Sequence, residues 1–295
     1  MGRINKLRAF RKAFRNWISV LYKLKFKKES MVRTRLRNKE EYVVLPKELV
    51  YFASELIRVY KSLKMFEYDF QSNILIFSYA NRITKMKFYK NGHFNGEFSS
   101  FLGEYDFLEP IKGNTVIDVG ANIADSSISF ALSGASKVIA VEPYRWSYGM
   151  ATENIELNNL KDCIVMLNAG YGMDGEIEIE DTITNVGTVL KEVKGGVRIP
   201  ILSLRTLISQ YDYYIRGNLL LKMDCEGCEY NIVNEEDSTL HKFRKILIEY
   251  HRGYENLVGK LKKCGFTVKY TEPHVWYHQN TNRNLVHGYL YAYRE

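Results

Sequence analysis

The sequence predicts an α/β fold: a mostly parallel sheet with helices on both faces, preceded by a basic helical extension. Three observations predict it. From residue 114 onward, short apolar runs alternate with stretches of helical periodicity. Strands buried on both faces read as such runs, and helices are what buries them. The first of these runs closes on a glycine that opens a helical stretch. The third observation is the charge. Residues 1–40 hold 14 Lys and Arg against two Glu, a net of +12, whereas the rest of the chain holds 28 basic and 32 acidic groups, a net of −4. The overall +8 therefore belongs to one tail and not to a groove in the body.

The tail comes first. Within residues 3–28, Ile4, Leu7, Phe10, Phe14, Trp17, Ile18 and Leu21 recur at three- and four-residue steps, which predicts one amphipathic helix. Arg8, Arg11, Lys12 and Arg15 fall towards its other side. Such a helix can dock on the chain's own core, on a partner subunit, or in the headgroup region of an anionic membrane. Nucleic acid has only the tail's charge in its favour. Residues 31–40 (MVRTRLRNKE) read as a solvated linker, so 1–40 form a basic helix and linker. KELVYFASELIRVYKSL (47–63) predicts a second helix, and SNILIFSY (72–79) with RITKMKFYKNG (82–92) a β-hairpin. Residues 41–110 are then a small N-terminal cap, and 111–295 the main domain.

With 46% hydrophobic and 26% charged residues, the composition is that of a globular protein and excludes disorder. No run reaches the roughly 18 apolar residues of a membrane-spanning helix. WISVLY (17–22) is too short for a secretory signal and is framed by Arg and Lys. Four cysteines do not suggest a disulfide framework. The expectation is a cytoplasmic, reducing setting, peripheral at the inner membrane surface if the tail meets lipid.

In the main domain TVIDVG (115–120) is the first buried strand, with a helix over 125–134. KVIAVEP (137–143) is the second, followed by a helix over 145–159. DCIVMLNA (162–169), NLLLKMD (218–224), KILIEYH (245–251) and FTVKY (266–270) continue the series, and LVHGYLYAYRE (285–295) is the last strand. In open sheets of this kind ligands bind outside the carboxyl ends of the strands.

DVGANIAD (118–125) closes the first strand. Gly120 permits a sharp turn and a close approach of a ligand to the backbone, and the helix that follows offers free N–H groups. With a single glycine this is not the dinucleotide fingerprint G-x-G-x-x-G. The second strand ends in Glu142, 22 residues further on, and Pro143 keeps it extended. A carboxylate there can accept hydrogen bonds from both hydroxyls of a ribose. Together the two strand ends predict a nucleoside site.

VIDVGANIADSSISFALSGASKVIAVEP (116–143) resembles the S-adenosylmethionine-binding opening of FkbM-type methyltransferases. The resemblance runs on through NIELNNL (154–160), LKMDCEGCEY (221–230), ILIEYHRGY (246–254) and GF (265–266), covering roughly 98–270. It implies a class I methyltransferase (Rossmann-like) fold: a seven-stranded, mostly parallel sheet with a reversed last strand. It also implies methyl transfer, usually to oxygen. Such relatives act on hydroxyls of sugars, polyketides and other small molecules, and many are associated with glycan biosynthesis. Asp118, Gly120, Ala121 and Asn122 would line the methionine part of the cofactor, Glu142 would hold the ribose, and Asn168 and Ala169 would lie near the adenine. One departure stands out: the family usually has a second glycine where this chain has Ala124.

The fourth and fifth strand ends supply the chemistry. Asp224, Glu226, Glu249 and His251 should converge beside the transferred methyl. An alcohol acceptor must lose its proton, and a general base within hydrogen-bond reach takes it. Asp224 or His251 is the base on this reading, with Glu226 and Glu249 orienting the acceptor. Lys222 lies in the same block but is expected to turn away from Asp224's side. The carboxylates could also hold magnesium, though no metal is assigned. Cys225 and Cys228 form a C-x-x-C in a strand-to-helix context, a redox or zinc signature. Cys163 and Cys264 stand alone on other elements, which counts against zinc; the resemblance implies small apolar residues where Cys225 and Cys228 sit, so small core thiols are the expectation there. The resulting expectation is an O-methyltransferase for a sugar, glycolipid or other small molecule. The alternatives are an N- or nucleic-acid methyltransferase, or a cofactor-binding module without activity. The strand end D-C-E-G lacks the Asn/Asp-Pro-Pro-aromatic pattern of many amino-group methyltransferases.

Overall fold

The computed structural model describes residues 7, 10–35, 37, 40–47, 50, 66–69, 72, 74–87, 98–180, 190–278 and 283–295. The chain divides into two units, Met1–Leu102 and Gly103–Glu295.

In the first unit the predicted basic helix is interrupted. Residues 10–13 are helical, a turn follows at 15–16, and α1 (Trp17–Tyr22) continues as a π-helical segment, Lys23–Lys27. Asn16 makes the break. Its Nδ2 donates to Arg33 O (3.1 Å), and its Oδ1 accepts from Arg35 N–H (2.7 Å). An Asn side chain that bonds other backbone in this way competes with the helix. The predicted single stripe is split as a result. Phe10 and Phe14 are buried with Ala13, Val20 and Leu24, while Leu7 and Ile18 are exposed.

The predicted linker opens with a strand. β1 (Met31–Thr34) pairs antiparallel with β2 (Val43–Pro46). Val32 and Thr34 point inward and Met31 and Arg33 outward, a period-2 pattern hidden by the surrounding charge. The predicted helix 47–63 falls outside the described residues apart from Lys47 and Val50. A second sheet joins β3 (Phe66–Asp69), β4 (Ile74–Tyr79) and β5 (Arg82–Lys87). The predicted hairpin turns at Ala80 and Asn81, both at positive φ (47° and 62°), as a two-residue hairpin turn with matching twist requires.

The second unit carries the predicted sheet. Its strands are β6 (Thr115–Val119), β7 (Lys137–Val141), β8 (Ile164–Leu167), β12 (Leu219–Met223), β13 (Phe243–Tyr250), β14 (Thr267–Tyr270) and β16 (Arg283–Tyr293), in the order β14-β16-β13-β12-β6-β7-β8. β6, β7, β8, β12 and β13 run parallel, and β16 is antiparallel to both β13 and β14. This is the seven-stranded, mostly parallel order with a reversed last strand that the resemblance implies. β15 (His274–His278) adds to β16. Every residue of β6, β7 and β12 is buried, so the sheet is covered on both faces. The helices are α2 (Asp125–Leu132), α3 (Arg145–Leu157), α4 (Leu204–Tyr211), α5 (Asp237–Leu240) and α6 (Glu255–Lys263). Ile117, Ile139, Leu221 and Ile248 pack one face with Leu207 of α4 and Leu257 of α6. A smaller sheet was not predicted: β9 (Gly170–Tyr171), β10 (Gly175–Ile179) and β11 (Val197–Leu202), in the order β10-β11-β9. It lies between the third and fourth predicted strands, where no element is predicted. No helix of the described residues is long and apolar enough to cross a membrane.

Candidate active site

The cleft forms where β6, β7 and β12 end, and its walls include Gly120, Asn122, Glu142, Ala169, Asp224 and Glu226. Gly120 (φ 78°) is a steric necessity. A Cβ there would collide with the carbonyl oxygen of Asp224, so only glycine lets the first strand's turn pass the fourth strand's end.

Glu142 closes β7 and is buried. Its Oε2 accepts from the N–H of Asn122 and its Oε1 from the N–H of Tyr144, both at 3.0 Å. Burial pushes its carboxyl up to about 7, against the pull of those two N–H groups. A carboxylate offers about four lone-pair sites, so capacity remains for the donors of a diol. Asn168 donates to the carbonyls of Glu142 (3.0 Å) and Pro143 (2.8 Å), which fixes the turn that presents Glu142. Ala169 is buried and lines the cleft; Ala121 is buried and donates its N–H to Val141 O (3.1 Å).

Asp118 does something other than line the cleft. It is wholly buried, its Oδ2 accepts from the hydroxyls of Ser126 and Ser127 (both 2.6 Å), and its Oδ1 lies 3.0 Å from Lys222 Nζ. Lys222 also donates to Gly120 O (2.9 Å). The expectation that Lys222 turns away from Asp224 is corrected here: residues two apart on a strand share a face. Burial opposes the ammonium charge, but Asp118, then Asp224 and Asp125, outweigh it and raise the pKa.

Asp224 and Glu226 line the cleft, and there the four predicted groups meet. His251 Nε2 lies 3.7 Å from Asp224 Oδ1, 3.5 Å from Glu226 Oε2 and 4.0 Å from Glu249 Oε1. Glu229, which sequence reasoning did not single out, is the closest partner. It is wholly buried, and its Oε1 is 3.1 Å from His251 Nδ1 and accepts the His251 N–H at the same distance. His287 was also missed; its Nδ1 is 3.3 Å from Glu249 Oε1. It reaches the site through the antiparallel pairing of β16 with β13, a register no local motif announces.

Burial opposes the charge on His251, but the carboxylates of Glu229, Asp224 and Glu226 overcome it and raise its pKa to about 10. A pKa raised in this way favours the imidazolium at neutral pH and weighs against His251 as the base. The Asp224 pKa is raised too, but there the shift disfavours the charged form: burial, then the adjacent Glu249 charge, lift it well above the ordinary carboxyl value. Glu226 is raised by burial as well and adopts a left-handed backbone (φ 55°). Glu249 is lowered, because His287 and His251 outweigh its burial. Oxygen and imidazole atoms of Asp224, Glu249 and His251 lie within 4.8 Å of one another, a set that suits a divalent cation in type. The cluster has its own positive groups in His251 and His287. Cys225 and Cys228, expected as free thiols, are joined by a disulfide in the cleft wall (Cα–Cα 5.5 Å).

The Methyltransferase FkbM domain model matches residues 118–268, half of the chain. The chain belongs to the FkbM methyltransferase family. It is thus an S-adenosylmethionine-dependent methyltransferase. No curated protein sequence matches it significantly. Solved structures that it resembles include precorrin-6y C5,15-methyltransferase from Geobacter metallireducens: 11% identity, 64% of this chain and 85% of that one, TM-score 0.38. Another is M. jannaschii TYW2 in complex with AdoMet, at 16% identity, 75% and 85% coverage and TM-score 0.39. A third is Trm5b from Pyrococcus abyssi, at 13% identity, 75% and 56% coverage and TM-score 0.40. At such identities and scores these likenesses carry no weight for the acceptor.

The FkbM methyltransferase's cleft fits the cofactor on its own chemistry. At one end, a buried carboxyl with spare acceptor sites, Glu142, lines the cleft and could accept from a diol. At the other, the carboxyls of Asp224 and Glu226 line the wall in front of a cluster in which carboxyls outnumber imidazoles, and that acidic character suits a sulfonium.

Proposed function

We propose that this FkbM methyltransferase methylates a hydroxyl group on a sugar, glycolipid or other small molecule. The observation that carries the reading is Asp224. It stands at the end of β12 in the cleft wall, its side chain is partly exposed, and its basicity is raised by burial and by Glu249. A hydroxyl needs such a base. S-adenosylmethionine, when bound, supplies a methyl group already activated on a sulfonium. The chain's part is to place the acceptor oxygen in line and to take its proton, and positioning of this kind supplies much of the rate. Glu142 accepts the ribose hydroxyls, and Asn168 holds the turn behind it. Asp224 receives the acceptor proton at a carboxylate oxygen, with Glu226 beside it to orient the hydroxyl. His251 stays protonated and steadies both carboxylates against their mutual repulsion.

The test has two arms. Calorimetric titration of S-adenosylhomocysteine should give micromolar binding to wild type. In Glu142→Ala, affinity should fall about tenfold to a hundredfold, the roughly 1.5–3 kcal/mol of a charge-assisted hydrogen bond. Asp224→Asn should bind the cofactor product normally but lose transfer of labelled methyl to a panel of hydroxyl acceptors, by about a hundredfold or more. Full transfer by Asp224→Asn would remove it as the base. Label recovered on amines and not on hydroxyls would overturn the O-methylation reading.

A further inference from the structure

The first unit carries a surface that the transfer chemistry does not use. Ile18, Tyr22 and Phe26 are 66%, 53% and 72% exposed. They recur at four-residue steps along α1 and its π-helical continuation, so they stand in one row. The rings of Tyr22 and Phe26 lie 5.5 Å apart. Val20 and Leu24, on the other side of the same segment, are buried in the unit's core. The row is therefore not the face that docks the helix; it is a second apolar face turned to solvent. Lys25, Lys27 and Lys28 are exposed within and beside it. The surrounding residues 1–40 carry the net +12.

We propose that this row and its lysines form a docking face for the surface of an anionic lipid bilayer. The chemistry fits on both counts. Aliphatic and aromatic side chains enter the boundary between headgroups and acyl chains, while ammonium groups on long stems reach back to the lipid phosphates. Juxtaposed basic residues add attraction to acidic lipids. Charge alone would serve a nucleic acid, but it gives no reason to leave Ile18 and Phe26 in water. An apolar row alone would serve a protein partner, but it gives no reason for the lysines between.

The experiment is co-sedimentation of the full chain with vesicles of phosphatidylcholine mixed with phosphatidylglycerol, beside vesicles of phosphatidylcholine alone. Binding to the mixed vesicles and little to the neutral ones is expected, weakening as salt is raised. The double variant Ile18→Glu/Phe26→Glu and the triple variant Lys25→Glu/Lys27→Glu/Lys28→Glu should each lose about tenfold or more in vesicle affinity. Both should keep the melting temperature and the S-adenosylhomocysteine affinity of wild type, since these side chains are exposed. Equal binding of wild type and variants to acidic vesicles would overturn the proposal. So would retention of a single-stranded oligonucleotide with no vesicle binding. So would a lipid-free dimer that Phe26→Glu dissolves, because the row would then be a contact between two copies.

Discussion

Lys222 and His251 are both cations sunk among carboxylates at the same edge of one sheet, and they are held in opposite ways. Lys222 meets Asp118 across adjacent strands at 3.0 Å, with both side chains almost wholly buried. The ammonium also holds Gly120 O, and two serine hydroxyls hold the other carboxylate oxygen. This group is closed. His251 keeps 15% of its side chain accessible and faces four carboxylates at 3.1–4.0 Å. With His287 at Glu249, two imidazoles meet four carboxyl groups, so the carboxyls outnumber the cations. The first arrangement fixes a turn; the second leaves a negative surplus in the cleft, where a cationic cofactor and an acceptor proton have to be managed. The difference is one of count and access, since both set a cation against carboxylates.

Breaking the closed pair should have the largest effect. Lys222→Met leaves Asp118 buried without its cation, and loss of one partner of such a pair costs about 3–5 kcal/mol. Urea denaturation should register this as a lower midpoint with an unchanged slope. Lys222→Met with Asp118→Asn should recover a large part of it. A single variant as stable as wild type would mean that the pair contributes no more than a surface bridge does.

His251→Gln should act mainly on chemistry. Losing the imidazolium removes the charge that holds Asp224 and Glu226 down, so their pKa values should rise further. The acid limb of the transfer profile should then move to higher pH. Stability gives a second readout. The folded pKa of His251, about 10, lies above its ordinary 6.5. Its contribution is therefore complete below about pH 6.5 and is lost as pH rises through about 10. Wild type should lose melting temperature across that window more steeply than His251→Gln. Parallel curves would show that His251 is not a cation of the cluster.

The parts of this comparison differ in how far the sequence shows them. The sheet was legible because its strands are short apolar runs at regular spacing, and the strand-end rule then points to Gly120, Glu142, Asp224 and Glu249. What the rule cannot give is direction. Asp118 lies in the best-matching block, yet its carboxylate faces Lys222 and not the cleft, because a cross-strand register decides that. Glu229 is visible in LKMDCEGCEY as one acidic residue among three. Only the 3₁₀ turn over Cys228–Asn234 brings it under His251. His287 depends on β16 folding back beside β13, thirty-odd residues after it. In the tail, helical spacing was real, but Asn16 ended the helix through bonds to β1, a strand that charge had disguised.

The smallest effect is expected at Ala124, which shares a turn with the closed group through Gly120. Its backbone is left-handed (φ 66°, ψ 25°), a conformation that strains an alanine by roughly 1–2 kcal/mol. Ala124→Gly relieves that strain. It also frees the unfolded chain, at about 0.4–1 kcal/mol, and removes a wholly buried methyl group, at about 0.8 kcal/mol. The three contributions nearly cancel, so stability should change by less than about 0.5 kcal/mol. Cofactor affinity should not change either, because Ala124 is buried behind the turn and its side chain is not part of the cleft wall. Calorimetry with S-adenosylhomocysteine checks this. A tenfold gain in affinity would mean that the methyl group presses on the cofactor through Asn122, and that the turn is less rigidly held by Lys222 than its bond to Gly120 O implies.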